Sequence, residues 1–218
     1  MTGPRARTLS SVIFLPVVVL AVYAGACEKA ADDLRPQVDS LNVQTRRVYE
    51  AAILDQIAPP SGGGPQWILV LDRTESPPCF GLSQEEHPDC PSIVRNGLWN
   101  AFGSELKDDT REAFVQRAGT KDSVIDLIVD GPSYKLVGAE QVRSMFQKGG
   151  GWHEFYQTFP ESRGFIGLSS IGFDRSLTQA VVYSGRHCGS LCGEGTYIFL
   201  ILKNGRWVVS KRSGIWIS

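Results

Sequence analysis

The 218 residues are 42% hydrophobic and 21% charged, which sets aside a disordered chain and a multi-span membrane chain and suits one domain of ordinary size or two small ones. Lys and Arg number 22 against 23 Asp and Glu, so no basic excess is present to neutralise a phosphate backbone, and nucleic acid is not an expected partner.

Residues 1–26 carry Arg5 and Arg7, an apolar run from Val12 to Val22 that contains Pro16, and the small residues Ala24, Gly25 and Ala26. That order is a secretory signal peptide. As a helix at ~1.5 Å per residue, Val12 to Ala26 reaches about 23 Å, short of the ~30 Å hydrocarbon core, so a permanent span is the weaker reading. Ala24 and Ala26 form the small-x-small pattern of an ordinary signal peptidase. Ala24-Gly25-Ala26-Cys27 also resembles a bacterial lipobox, which is cut before a cysteine that carries diacylglycerol. We favour lipidation of Cys27, with 27–36 as a polar tether and 37–218 as a single domain; plain secretion is the alternative. The expected location is the bacterial cell envelope, in the periplasm or on the outer surface. Acyl chains would hold the protein to the membrane at ~0.8 kcal/mol per buried methylene.

From Pro36 to Ala58 the residues Val38, Leu41, Val48, Ala52, Ile53 and Ile57 recur at mostly helical spacing, with Arg46, Arg47 and Glu50 on the back. Pro59 and Pro60 stop this amphipathic helix. Trp67 to Leu71 has the length and composition of a buried strand, and 72–92, rich in Pro, Ser and acid, reads as a surface loop. Helical spacing returns from Ile93 to Leu106 and again around Ala113, Phe114 and Arg117, with Asp108 or Asp109 as an N-cap. Val124 to Val129 and Tyr134 to Val137 read as short strands and Glu140 to Gln147 as a helix. Trp152, Phe155, Tyr156 and Phe159 then fall on one helical face, a core stripe rather than a ligand site. Phe165–Phe173, Gln179–Ser184, Thr196–Lys203 and Arg206–Lys211 are β-rich runs, extended by Ile215 to Ile217, and Asn204-Gly205 marks a type I′ hairpin between two of them. The expected fold is α+β: an N-terminal amphipathic helix and a helical middle packed on a C-terminal antiparallel β-meander. Helices over a curved antiparallel sheet are a fold analogy for that pattern.

Five cysteines are an odd number, and assigning Cys27 to lipid leaves Cys79, Cys90, Cys188 and Cys192. An even remainder is what an oxidising compartment leads one to expect. Three pairings are open; Cys79 with Cys90 and Cys188 with Cys192 are preferred because each pair brackets a turn-rich loop. Loop entropy makes these staples worth ~3 and ~2 kcal/mol. His87 and His187 lie near the pairs, but with no C-x2-C half-site the spacing favours disulfides over zinc, and C-x3-C is not a thioredoxin-like C-x-x-C. No metal and no cofactor are expected.

Trp67 to Thr74, Trp152 to Tyr156, Phe159-Pro160, Leu168 to Phe173, Ala180 to Tyr183, Cys188 to Gly193 and Trp216 to Ser218 resemble a group of bacterial exported proteins and lipoproteins with no assigned activity. Those proteins share an lSxxGF…AVVY…CGxLCGxG…WIS ending. The resemblance spans about residues 65–218; it implies one domain and names no reaction.

No G-x-S-x-G elbow and no phosphate-cradling G-x-x-x-x-G-K-[ST] occurs, and His87, His153 and His187 are scattered singly rather than one helical turn apart. The candidate binding residues are Asp72 and Thr74, which follow a central strand, and His187 and Glu194 in the glycine-rich 187–195 loop. Asp72 has an Asx-turn or cap with Thr74 as its competing reading. The expectation is a binding or interaction module for an unidentified protein or small molecule. The alternative is a small hydrolase-like cleft enzyme using Asp72 with His87 or His187.

Overall fold

The computed structural model describes residues 40–57, 67–79 and 89–218, so the leader, Cys27, the tether, residues 58–66 and His87 lie outside the described residues. Residues 42–218 form one structural unit. The first helix, α1 (40–56), is followed by β1 (Trp67–Leu71), α2 (Cys90–Phe102), α3 (Asp108–Arg117), β2 (Tyr134–Val137), α4 (Ala139–Gln147) and α5 (Gly151–Thr158). Then come β3 (Ser162–Leu168), β4 (Gly172–Phe173), β5 (Gln179–Gly189), β6 (Cys192–Lys203) and β7 (Arg206–Ile217). The architecture is α+β.

All strands among the described residues join one seven-stranded sheet of order β2-β1-β3-β5-β6-β7, with β4 paired to β5. The expected antiparallel meander is present as β5-β6-β7, and β3 runs antiparallel to β5. The sheet as a whole is mixed, because β1 pairs in parallel with both β2 and β3. A strand buried on both faces, such as the continuous apolar run of β1, suits that central position.

The two faces are covered differently. On one, Val48, Tyr49, Ala52 and Ile53 of α1 pack against Ile68, Val70, Ile166, Val182 and Ile198. At ~1.5–3 kcal/mol per fully buried aliphatic side chain, this stripe is enough to hold a helix whose other side is charged. The opposite face carries two separate patches. α2 and α3 cover β5 and β6 through Leu98, Phe102, Phe114, Tyr183 and Phe199, while α4 and α5 cover β1 and β3 through Val142, Met145, Phe155, Leu69 and Phe165. The aromatic stripe of α5 belongs to that second patch, with Phe155 fully buried and Trp152, Tyr156 and Phe159 packed around it.

Three local expectations are corrected. Val124 to Val129 is a turn, not a strand: the amides of Leu127 and Ile128 both donate to the Val124 carbonyl, burying Val124 and Ile128 and exposing Ile125 and Val129. That i, i+4 burial is helical spacing, not alternation. The run from Phe165 to Phe173 is broken at 169–171, where the Ser169 hydroxyl accepts a 2.9 Å bond from the Tyr183 amide in place of a ladder carbonyl. Asp108 and Asp109 sit in the first turn of α3, and Lys107 holds the cap position. The type I′ hairpin forms as expected, with Asn204 at φ 52° and Gly205 at φ 74°.

Both local disulfides form, Cys79–Cys90 at the start of α2 and Cys188–Cys192 across the β5–β6 turn. No helix among the described residues is long and apolar enough to cross a membrane.

Candidate functional site

Between the two helical patches, three glycines run in register across the sheet: Gly167 of β3 faces Gly185 of β5, which faces Gly195 of β6, which faces Trp216 of β7. Glycine inside a strand marks close approach by another group. Here a Cβ on Gly167 would stand 2.0 Å from Oε2 of Glu75, and one on Gly195 would stand 1.9 Å from Nε1 of Trp216. The bare backbone therefore carries a carboxyl group at one end of the row and an indole at the other.

Glu75 is delivered by a pinned loop. After β1 the amide of Thr74 donates to the Asp122 carbonyl, the Thr74 hydroxyl donates to the Thr120 carbonyl, and the Asp122 amide donates back to that hydroxyl. The Glu75 amide then bonds the Leu168 carbonyl at 2.8 Å, which fixes the side chain over Gly167. Trp216 donates a 3.0 Å bond from Nε1 to the Tyr183 hydroxyl. His187 lies between Phe165, stacked on it with ring centroids 5.0 Å apart, and Trp216, tilted to it at 5.5 Å.

These side chains converge over Gly185. The point where its Cβ would stand is 3.0 Å from the Tyr183 hydroxyl, 3.3 Å from Glu75 Oε2 and 3.5 Å from His187 Nε2. Burial pushes the Glu75 carboxyl up to about 7, against the opposing pull of the Lys121 and Arg143 charges. Burial pushes the Tyr183 phenol up to about 12, partly offset by the Trp216 bond and reinforced by the Glu75 charge. Burial lowers the His187 pKa, so the ring is neutral at pH 7. The site thus holds a carboxyl near half-ionisation, a neutral imidazole and a phenol that can donate. Groups of this kind suit hydrogen bonding to a polar ligand and proton transfer near neutral pH.

The sequence candidates separate. His187 belongs to this cluster, and it and Glu194 lie on β5 and β6 rather than in a 187–195 loop, because the strand pairing runs on as far as Gly189 and Cys192. Asp72 does not: its Oδ1 accepts a 2.8 Å bond from the Ala139 amide, capping α4, and its backbone pairs with Val137 and Val124. Its carboxylate is engaged at the helix start, and the partner is Ala139 rather than Thr74. Thr74 is buried and acts as the pin behind Glu75. Glu194 faces the other side of the sheet, 3.7 Å from Arg186. Glu75, Tyr183 and Trp216 were not singled out from sequence, although isolated glycines at 167 and 185 within apolar strands carried the signal. Among the described residues no group of three or more His, Cys, Asp or Glu stands together to hold a metal ion. Comparisons with protein-family models, with curated proteins and with solved structures return no match for this chain.

Proposed function

We propose that this chain is an exported, lipid-anchored envelope protein that binds a small uncharged polar ligand over Gly185. The observation that carries the binding reading is the convergence of the Tyr183 hydroxyl, Glu75 Oε2 and His187 Nε2 on one point above a residue with no side chain. Trp216 donates to the Tyr183 hydroxyl, but no hydrogen bond joins Tyr183, Glu75 and His187 to one another among the described residues, which leaves the phenol proton to meet a ligand. A neutral ligand is favoured because burial shifts all three groups toward their uncharged forms, so a fixed charge would meet no full counter-charge there. The leader, the lipobox-like Ala24 to Cys27 and the four paired remaining cysteines support the export reading.

The test is ligand-observed NMR with a panel of neutral monosaccharides and simple amides. Binding is expected in the native chain and lost in Gly185→Ala, whose added methyl occupies the contact point while the strand remains intact. Retained binding in that variant, or none in the native chain, would overturn the assignment.

A second reading, acid–base catalysis by the same cluster, is favoured by the Glu75 carboxyl titrating near 7. Glu75 with His187 takes the place that Asp72 with a histidine held in the sequence analysis. Turnover of chromogenic esters or glycosides that follows one ionisation near pH 7 and disappears in Glu75→Gln would establish it.

A further inference from the structure

The sheet face opposite the Gly185 cluster carries a second polar concavity, at the C-terminal end of α1. A groove of about 400 Å³ is lined there by Asp55, Arg163, Arg186, Glu194, Thr196 and Arg212, among others. Three guanidiniums drawn from three different strands meet two carboxylates. Strict alternation along β3 would send Arg163 to the other face. One extra residue in β3 opposite Trp67–Leu69, next to Gly164 at φ 89°, shifts the alternation, and Arg163 reaches the Ile57 carbonyl on the α1 side.

The donors of this groove are sparsely used. Arg163 makes one 3.4 Å bond, to Ile57, and Arg212 donates through Nη2 to the carbonyl and the carboxylate of Asp55. Those contacts satisfy the end of α1, where cations complement the exposed carbonyls. Arg186 has no such task. Its Nη1 stands 3.7 Å from Glu194, and its Nε is buried without a partner. Two residues earlier on the same strand face, Ser184 buries an unpaired hydroxyl. Each guanidinium offers five N–H donors in a planar fork, and together they outnumber the acceptor sites of Asp55 and Glu194, of which Asp55 Oδ2 is itself buried without a partner. A tetrahedral oxyanion supplies the missing acceptors in the geometry the fork matches.

We propose that this groove binds a phosphate-class oxyanion, free or as the headgroup of an anionic lipid, with Arg186 as its principal contact and Arg163 and Arg212 beside it. Glu194 is the competitor: it holds Arg186 loosely when the groove is empty and is displaced when the anion enters. The site lies on the other side of the sheet from Gly185 and stands or falls independently of the ligand proposed there.

The purified full chain is titrated with inorganic phosphate at constant ionic strength balanced by chloride, following backbone amide shifts. Saturation is expected, with shifts at Arg186, Thr196 and Arg212. Arg186→Gln should weaken binding about tenfold, Arg186→Lys should weaken it as well because an ammonium cannot fork, and Glu194→Gln should tighten it several-fold. Arg163→Gln serves if Arg186→Gln fails to fold. The source is separated with the Cys27→Ala chain and phosphatidylcholine vesicles with and without phosphatidic acid: Arg186-dependent pelleting identifies a headgroup, and saturation by phosphate without pelleting identifies a free anion. A non-saturating response without pelleting, or unchanged affinity in folded Arg186→Gln and Arg163→Gln chains, would overturn the proposal.

Discussion

Glu75 and His187 converge over Gly185 yet respond to pH with opposite signs. Burial raises the Glu75 carboxyl from 4.5 to about 7, so the folded state holds its proton longer than the unfolded chain does. Stability from this group is therefore highest below about 4.5 and falls as pH rises toward 7, where the buried carboxylate must form. His187 runs the other way: burial lowers its pKa below 6.5, so its contribution is present above that value and is lost as pH falls through it. Glu75→Gln is expected to raise stability at pH 8 by on the order of 2 kcal/mol and to leave it unchanged below pH 4. Urea unfolding at the two pH values measures this, and an equal effect at both would show that the carboxyl is not the strained group. At this scale the sequence exposed His187 and hid Glu75. A glutamate after a strand looks like any solvated loop acid until Gly167, more than ninety residues later, is seen beneath it.

At the scale of elements, glycine again decides the packing. Gly172 of β4 lies against α3 so closely that a Cβ would stand 2.5 Å from the backbone nitrogen and the Cβ of Phe114. Gly172→Ala should push α3 off the sheet and destabilise by roughly 1–3 kcal/mol, a loss readable in the thermal midpoint. The disulfides act on different elements. Cys79–Cys90 tethers the buried first residue of α2 to the loop after β1, and its paired serine variant should lose about 3 kcal/mol; Cys188–Cys192, which closes a shorter loop next to His187, should lose about 2 kcal/mol. Thiol titration of the folded protein should find none of these four cysteines free. Elements with their own periodicity were legible, including α1, β1 and the Asn204-Gly205 hairpin. The 124–129 turn was not, because five aliphatic residues in six read as a strand until two of them, Ile125 and Val129, are seen facing solvent.

For the whole molecule the export reading has its own consequence. Cys27→Ala should move the protein from the membrane fraction to the soluble one and remove the mass of the acyl chains. Unchanged fractionation would overturn the lipid anchor.

Composition, periodicity, cysteine parity and the turn-rich loops between neighbouring cysteines are properties of the chain itself, so they alone determined the α+β class, the order of most elements and the preference for local disulfides. The parallel placement of β1, the glycine row and the two polar sites depend on residues distant along the chain becoming neighbours across strands. Glu75 meets Gly167, Tyr183 meets Trp216, and Arg163 and Arg212 meet at the end of α1 only once the sheet is assembled. Register sets which side chains share a face, and register is a tertiary quantity.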